Sequence, residues 1–322
     1  MGKKHDNQAV FDRIIDYAQE NLFPAIPAPT QPAKARNKRG RKPVSACLVI
    51  SDLHGGEKTP THHSGTIPIK ANRLITKTRA LVADKRAAMP VEHMHVFLAG
   101  DMLHGEKVGR NMNLDEFEVG VKRQVFEIVV PTLVGILRDM ATDFRTVTVS
   151  CVRGNHGRGD KFAASSSNWD LVAYEVMRSV LRDCGNIDVR IPDAFYDLVE
   201  VQNTKFFCYH GNQVRMNKQI PIYGVQAKVA SWYKSLGPFD VAVQGHFHTA
   251  HDWTYNAVRH IIAGCWPLDD DYTVEEVSRT PSTNQPLWFV HPDHGVVDYN
   301  EIQIEDPEVL ARLNNNPAEG VS

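Results

Sequence analysis

The chain has 322 residues, 42% of them hydrophobic and 23% charged, enough to build a substantial core in one large domain or two small ones. Its formal charge of −2 excludes a whole-surface footprint for a polyanion, so any contact with nucleic acid must come from a local basic patch. No apolar run approaches the roughly 20 residues that span a bilayer, and the opening Met1-Gly2-Lys3-Lys4-His5-Asp6 lacks the apolar core of a signal peptide. A cytoplasmic protein without membrane contact is expected. Cys47, Cys151, Cys184, Cys208 and Cys265 are scattered, with no C-x-x-C pair. That spacing suits buried thiols in a reducing compartment rather than a disulfide framework.

In chain order, Val10, Phe11, Ile14, Ile15, Ala18 and Leu22 recur at helical spacing and predict a short amphipathic helix within residues 1–23. Residues 24–43 read as a linker. Its first half, Pro24 to Pro32, is proline-rich and semi-rigid; its second half carries six Lys or Arg between Lys34 and Lys42. The main domain is expected over 44–305, with a polar tail over 306–322.

Within that domain the predicted strands are Val44–Ile50, His95–Ala99, Val147–Val152, Phe195–Val201, Lys205–Tyr209, Val241–Gln244, Val258–Ile262, Leu287–Val290 and Val296–Ile304. A helix is predicted over 115–140, broken or kinked at Pro131. Another is predicted over Asn168–Asp183 with Leu171, Val172, Val176 and Val180 on its apolar face. Helices alternate with strands early and give way to strands later, the pattern of a mixed pair of sheets covered by helices.

Five short motifs stand at the ends of these apolar runs: Asp52-Leu53-His54, Gly100-Asp101, Gly154-Asn155-His156, Tyr209-His210-Gly211 and Gly245-His246-Phe247-His248. Their Asp, Asn and His side chains are oxygen and nitrogen donors suited to hard or borderline divalent cations. Loops leaving the carboxyl edge of a sheet can converge on one crevice. The one-residue spacer in D-x-H and H-x-H lets both flanking side chains point the same way.

The ordered set resembles the calcineurin-like metallophosphoesterase superfamily, over roughly residues 45–265. The resemblance implies an α/β fold, a four-layer α-β-β-α sandwich of two mixed sheets flanked by helices. It also implies a dimetal-dependent phosphoester hydrolase. Carried over residue by residue, Asp52, His54 and His248 would bind one metal and Asn155, His210 and His246 the other, with Asp101 bridging the two. Such a pair activates a shared hydroxide for in-line attack on phosphorus. Manganese is the expected metal, with iron, zinc or magnesium as alternatives. His156 would be the catalytic histidine that is not a ligand. The next residue, Gly157, departs from the family, which has an acid there to orient that histidine. Either Asp160 or another carboxylate takes its part, or His156 is less well positioned. Arg158 is a candidate phosphate clamp.

The substrate is less constrained. Gly100-Asp101-Met102-Leu103-His104 and Ser51-Asp52-Leu53-His54-Gly55-Gly56 resemble the double-strand-break repair nucleases, which makes His104 a candidate substrate-binding residue. The segment ending Leu287-Trp288-Phe289-Val290-His291-Pro292 resembles phage-encoded members, for which the location would be the host cytoplasm. A nuclease or phosphodiesterase acting on DNA or RNA is therefore expected. A phosphomonoesterase, a small- or cyclic-nucleotide phosphodiesterase, and a non-catalytic scaffold of the same fold are the alternatives. Lys38-Arg39-Gly40-Arg41-Lys42-Pro43 resembles an interrupted AT-hook, so the basic segment is either a DNA-contacting arm or a solvated linker. His62, His63, His93, His251, His260, His291 and His294 are read as surface or supporting groups, and Trp266 and Phe289 as core.

Overall fold

The computed structural model describes Tyr17 and residues 40–106, 117–158, 167–216, 221–268 and 281–310. The predicted N-terminal helix (Tyr17 apart), residues 24–39 of the linker, Asp160 and the tail from 311 lie outside the described residues. Eleven strands are described: β1 (Val44–Ile50), β2 (Val91–Leu98), β3 (Thr146–Cys151), β4 (Ile187–Arg190), β5 (Tyr196–Val201), β6 (Thr204–Tyr209), β7 (Val241–Gln244), β8 (His251–Tyr255), β9 (Val258–Ile262), β10 (Asn284–His291) and β11 (Gly295–Gln303). The helices are α1 (Ile67–Ala88), α2 (Val121–Arg123), α3 (Val130–Asp143), α4 (Trp169–Val180) and α5 (Pro221–Leu236), with a π-helical stretch, Gln124–Val129, joining α2 to α3.

The strands form two mixed sheets, ordered β11-β10-β1-β2-β3-β4 and β5-β6-β7-β9-β8. β1 to β4 run parallel in the first, β6, β7 and β9 in the second, and the flanking strands are antiparallel. Alternate side chains of β1 feed two cores, as the period of a strand requires. Cys47 and Val49 meet Phe97, Phe206, Val243 and Ile261 between the sheets. Ala46, Leu48 and Ile50 pack with Leu74, Leu133, Leu137 and Tyr174 under the helices. A third core joins Phe207, Tyr209 and Ile262 of the second sheet to Val225, Val229 and Trp232 of α5. The order of layers is therefore helix, sheet, sheet, helix, as expected.

Two local expectations change. The helix predicted over 115–140 is not broken at Pro131. The backbone widens just before it, and Val130 N–H bonds to Val125 O, five residues back, so the register absorbs the donor that Pro131 lacks. On α4 the buried face is Asp170, Ala173, Tyr174, Val176 and Met177. Leu171 and Val172 lie at its margin instead, because the helix turns a carboxylate rather than a leucine inward. Among the described residues no helix is long and apolar enough to cross a membrane.

Candidate metal centre

β1, β2 and β3 end in register, Ile50 opposite Leu98 and Leu98 opposite Cys151. The loops that follow thus leave one sheet edge at one level. Main-chain pairing continues beyond the strands: Asp52 N–H donates to Gly100 O (3.1 Å), His54 N–H to Asp101 O (3.1 Å) and Gly245 N–H to His210 O (3.0 Å). Five side chains of the predicted ligand set sit at positive φ: Asp52 (51°), His54 (48°), Asp101 (53°), His246 (72°) and His248 (55°). Each such position in a residue other than glycine costs on the order of 1–3 kcal/mol and persists where the surroundings enforce it. Two glycines let the loops close up. A Cβ on Gly154 would fall 2.0 Å from Asp101 Oδ1, and one on Gly245 would fall 2.2 Å from Asp52 Oδ2.

Three groups of side chains among the described residues have ligand atoms close enough to hold a cation: Asp52/His54/His248, Asp101/His210/His246, and His54/His104/His156, which shares His54 with the first. In the first, Nε2 of His54 and Nε2 of His248 lie 3.2 Å apart, with Asp52 Oδ1 3.4 Å from the latter and 3.9 Å from the former. Burial, helped by the neighbouring His156 and His248, holds the His54 imidazole well below its usual range. Two buried rings nose to nose beside a carboxylate fit a shared cation better than they fit each other. The carboxylate itself is fixed from behind, since His246 N–H donates to both oxygens (3.1 and 3.0 Å) and Ser51 Oγ donates to Oδ2 (2.5 Å).

In the second group, His210 Nδ1 donates to Ala99 O at 2.8 Å, which leaves Nε2 facing Asp101 Oδ2 at 2.8 Å and Asn155 Oδ1 at 3.1 Å. A lone pair aimed at two oxygen acceptors needs a positive charge between them. Burial would depress this imidazole, but Asp101 beside it overrides burial and pushes it up to about 9. A proton therefore fills the gap when no cation does. Burial, then the adjacent His210, push His246 down to about 3, so that ring is neutral and ready to ligate. The first two groups adjoin: the amide of His246, a member of the second, donates to Asp52 of the first.

His156 and His104 stand beside the first group. The His156 ring centroid is 4.5 Å from that of His54, and His104 lies 5.5 Å from His156. His156 Nδ1 donates to His104 O at 2.9 Å. A main-chain carbonyl, not a carboxylate, thus orients this histidine and leaves Nε2 for the crevice. Arg158 closes the turn, its amide 3.4 Å from Asn155 O, and its side chain is exposed. Among the described residues, no side-chain hydrogen bond or ion pair joins it to the clustered ligands. His62 is buried with Nε2 3.4 Å from His54 O, in keeping with a supporting part.

Three groups went unnoticed in the sequence. Asp170 is buried on α4 and accepts four main-chain N–H groups, from Asp101 (3.1 Å), Met102 (3.1 Å), Leu103 (3.3 Å) and Gly154 (2.8 Å). It clamps the Asp101 and Asn155 loops together, and Asn168, the N-cap of α4, adds a bond to Gly154 O (2.9 Å). Gln124, on the π-helical stretch, accepts from Gly105 N–H (2.9 Å) and donates to Val119 O (2.9 Å), bracing the His104 loop. Glu57 is buried with Oε2 3.3 Å from His104 Nδ1 and 3.8 Å from His54 Nδ1. The only clue was an Asn-x-Asp cap at the start of a predicted helix; Gln124 and Glu57 carried no signal.

Fold and site together define an α/β sandwich with a crevice of Asp, Asn and His side chains at the shared carboxyl edge of its two sheets. No family model matches the chain, and no curated protein does. Among solved structures, a novel archaeal phosphodiesterase is similar over 80% of this chain and 98% of its own, at 13% identity and TM-score 0.37. Vps29 from Entamoeba histolytica, complexed with zinc, is similar over 81% and 99%, at 13% identity and TM-score 0.35. The phosphoesterase Yfce from E. coli is similar over 80% and 99%, at 14% identity and TM-score 0.33. Nothing about the chemistry of this chain follows from likeness at that level; its own side chains carry the reading.

Proposed function

We propose that the chain is a two-metal phosphoester hydrolase that cleaves phosphodiesters, with nucleic acid as its substrate class. The observation that carries this reading is the adjacency of Asp52/His54/His248 and Asp101/His210/His246 on one sheet edge, with Asn155 against the second group. Asp52, His54 and His248 would hold one divalent cation and Asn155, His210 and His246 the other, with Asp101 shared between them. Two such ions supply charge neutralisation on the phosphoryl oxygens and a water of lowered pKa. Manganese is the first choice, and iron, zinc and magnesium suit the same donors.

The chain's own groups do the rest. Asp52 and Asp101 are locked by main-chain donors, so the ligand oxygens cost little reorganisation when the substrate arrives. His156, whose Nδ1–H is held by the His104 carbonyl, presents Nε2 beside His54, where its imidazolium form would give the Nε2 proton to the leaving oxygen and become neutral. His104 adds a second ring next to it.

The basic segment has a different place. Its described end is docked on the domain, Arg41 donating to Ala88 O (2.9 Å) and Lys42 pairing with Asp293 (2.7 Å). It enters β1 at Val44, the end opposite Asp52, roughly 20 Å away for a strand of that length. Lys34 to Lys42 would contact DNA phosphates as a tether that adds affinity.

The test offers manganese-loaded protein single- and double-stranded DNA, bis-p-nitrophenyl phosphate and p-nitrophenyl phosphate. Turnover of DNA and the bis-ester is expected. Turnover of the mono-ester alone would make the protein a phosphomonoesterase. Removing residues 1–43 should weaken DNA binding and flatten its salt dependence while leaving bis-ester turnover intact.

A further inference from the structure

We propose that Glu57 is a positioning residue that keeps His54 and His104 in the tautomer bearing its proton on Nδ1. The inference rests on the reading of Asp52, His54 and His248 as a metal site. For His54 to offer the Nε2 lone pair to that site, the ring's one proton must sit on Nδ1. Among the described residues, Nδ1 of His54 is buried with no hydrogen-bond partner. What faces it is Oε2 of Glu57, at 3.8 Å, too far for a direct bond but well within electrostatic reach. The same oxygen lies 3.3 Å from Nδ1 of His104. One carboxylate oxygen thus addresses the inner nitrogens of two rings whose centroids are 5.7 Å apart.

A buried carboxylate is expensive unless cations or donors surround it. Among the described residues, the ion-pair partners of Glu57 are these two imidazoles and no lysine or arginine. Its backbone is fixed for the purpose. Glu57 N–H donates to His54 O (3.0 Å), and the segment forms short bridges with Gly55 and Phe117. Just before it, Gly56 at φ 101° leaves room for Gln124, whose side chain would meet a Cβ there at 2.3 Å. The π-helical stretch therefore braces both the Glu57 loop and, through Gly105, the His104 loop. Carboxylates behind ligating histidines fix the tautomer and raise ligand basicity, and losing one typically costs 10- to 100-fold in metal affinity.

Two measurements on the full chain decide this. In metal-free protein with 15N-labelled histidine, the ring nitrogen shifts should report the Nδ1–H tautomer for both His54 and His104. In Glu57→Gln, which keeps the shape and removes the charge, at least one ring should become a tautomer mixture while the melting temperature stays near wild type. Titration with Mn2+ alone should then show one of two binding events weakened by about 10- to 100-fold and the other unchanged. An Nε2–H tautomer for His54 in the wild type overturns the proposal, as do unchanged tautomers and affinities in Glu57→Gln. A wild type that takes up fewer than two ions defeats the proposed function instead, and the metal-free tautomers still decide the part played by Glu57.

Discussion

The amide of His156 donates to Oδ1 of Asp101 across 2.7 Å. The turn after β3 and the loop after β2 are therefore joined by a main-chain amide and the Asp101 carboxylate, independent of the imidazole. His156→Ala keeps that bond and removes only the ring. The variant should retain both metals by elemental analysis while its turnover falls by about 10²- to 10⁴-fold, the range for loss of a general acid. Loss of metal in His156→Ala would make His156 a ligand and undo its assignment.

Asp101→Asn touches the same contact from the other side. It removes a negative charge that acts on both His210 and His54 of the first group, while leaving the size of the side chain unchanged. Metal content should drop below two ions per chain and turnover by more than in His156→Ala. Equal metal content in the Asp101→Asn variant and the wild type would show that the carboxylate does not bind a metal.

Metal uptake should release a proton. Because Asp101 holds the His210 imidazolium up to about 9, the ring is charged at neutral pH without a cation and must deprotonate to ligate one. Affinity for Mn2+ should therefore rise about tenfold per pH unit from 7 towards 9, then level off. Calorimetric titration in buffers of different ionisation heat should find about one proton released per chain at pH 7. A pH-independent affinity over that range would contradict the His210–Asp101 geometry.

Asp170 gives a stability prediction with the opposite sign from most acids. Burial, then the nearby Asp101, raise its carboxyl from 3.8 to about 6 in the folded chain. Between those values the folded state binds more protons than the unfolded one, so stability falls as pH rises through the window. The loss from this group is on the order of 3 kcal/mol. In Asp170→Asn the titration disappears. The two oxygens that accept four N–H groups become one oxygen and one donor, so the variant melts lower throughout. The gap in melting temperature between wild type and Asp170→Asn, measured without metal, should narrow from pH 4 to pH 6. A constant gap would mean that Asp170 does not titrate there.

Much of this was legible from the chain because the ligands sit at fixed offsets from apolar strand ends, and the strands are buried on both faces. β1, β7 and β9 have the predicted bounds, and the motif residues Asp52, His54, Asp101, Asn155, His210, His246 and His248 meet on one edge. What escaped notice did so for physical reasons. The core face of α1 runs Ile67, Lys70, Ala71, Leu74, Ile75, Thr78 and Val82. Lys70 breaks its apolar stripe because it is buried against Glu305 (2.6 Å) and Trp266 O (2.8 Å). α5 carries Gly224 in its first turn, a helix-breaking signal locally, because a Cβ there would meet Arg215 O at 2.1 Å. β4 and β8 are edge strands with partly exposed side chains and little hydrophobic pattern. Asp170, Gln124 and Glu57 act through backbone groups or neighbouring rings, and only three-dimensional closure shows which ones.

Gly157 stands where the motif that the sequence resembles carries an acid, and packing explains the difference. A Cβ at this position would lie 2.3 Å from Asn168 Oδ1 and 2.9 Å from Asp170 N. Asn168 is the cap that accepts from Asp170 N–H (2.8 Å) and ties α4 to Gly154, and Gly157 O itself accepts from Trp169 N–H (2.7 Å). An acid has no room here, and the His104 carbonyl already orients His156. Restoring the motif with Gly157→Glu should therefore harm the protein. Displacing the cap costs about 1 kcal/mol and crowding about 1–3 kcal/mol more. The melting temperature should fall, and bis-ester turnover should fall with it as Asp170 loses its grip on the Asp101 loop. A Gly157→Glu variant as stable as wild type, with faster turnover, would show that a carboxylate and not the carbonyl is the better partner for His156.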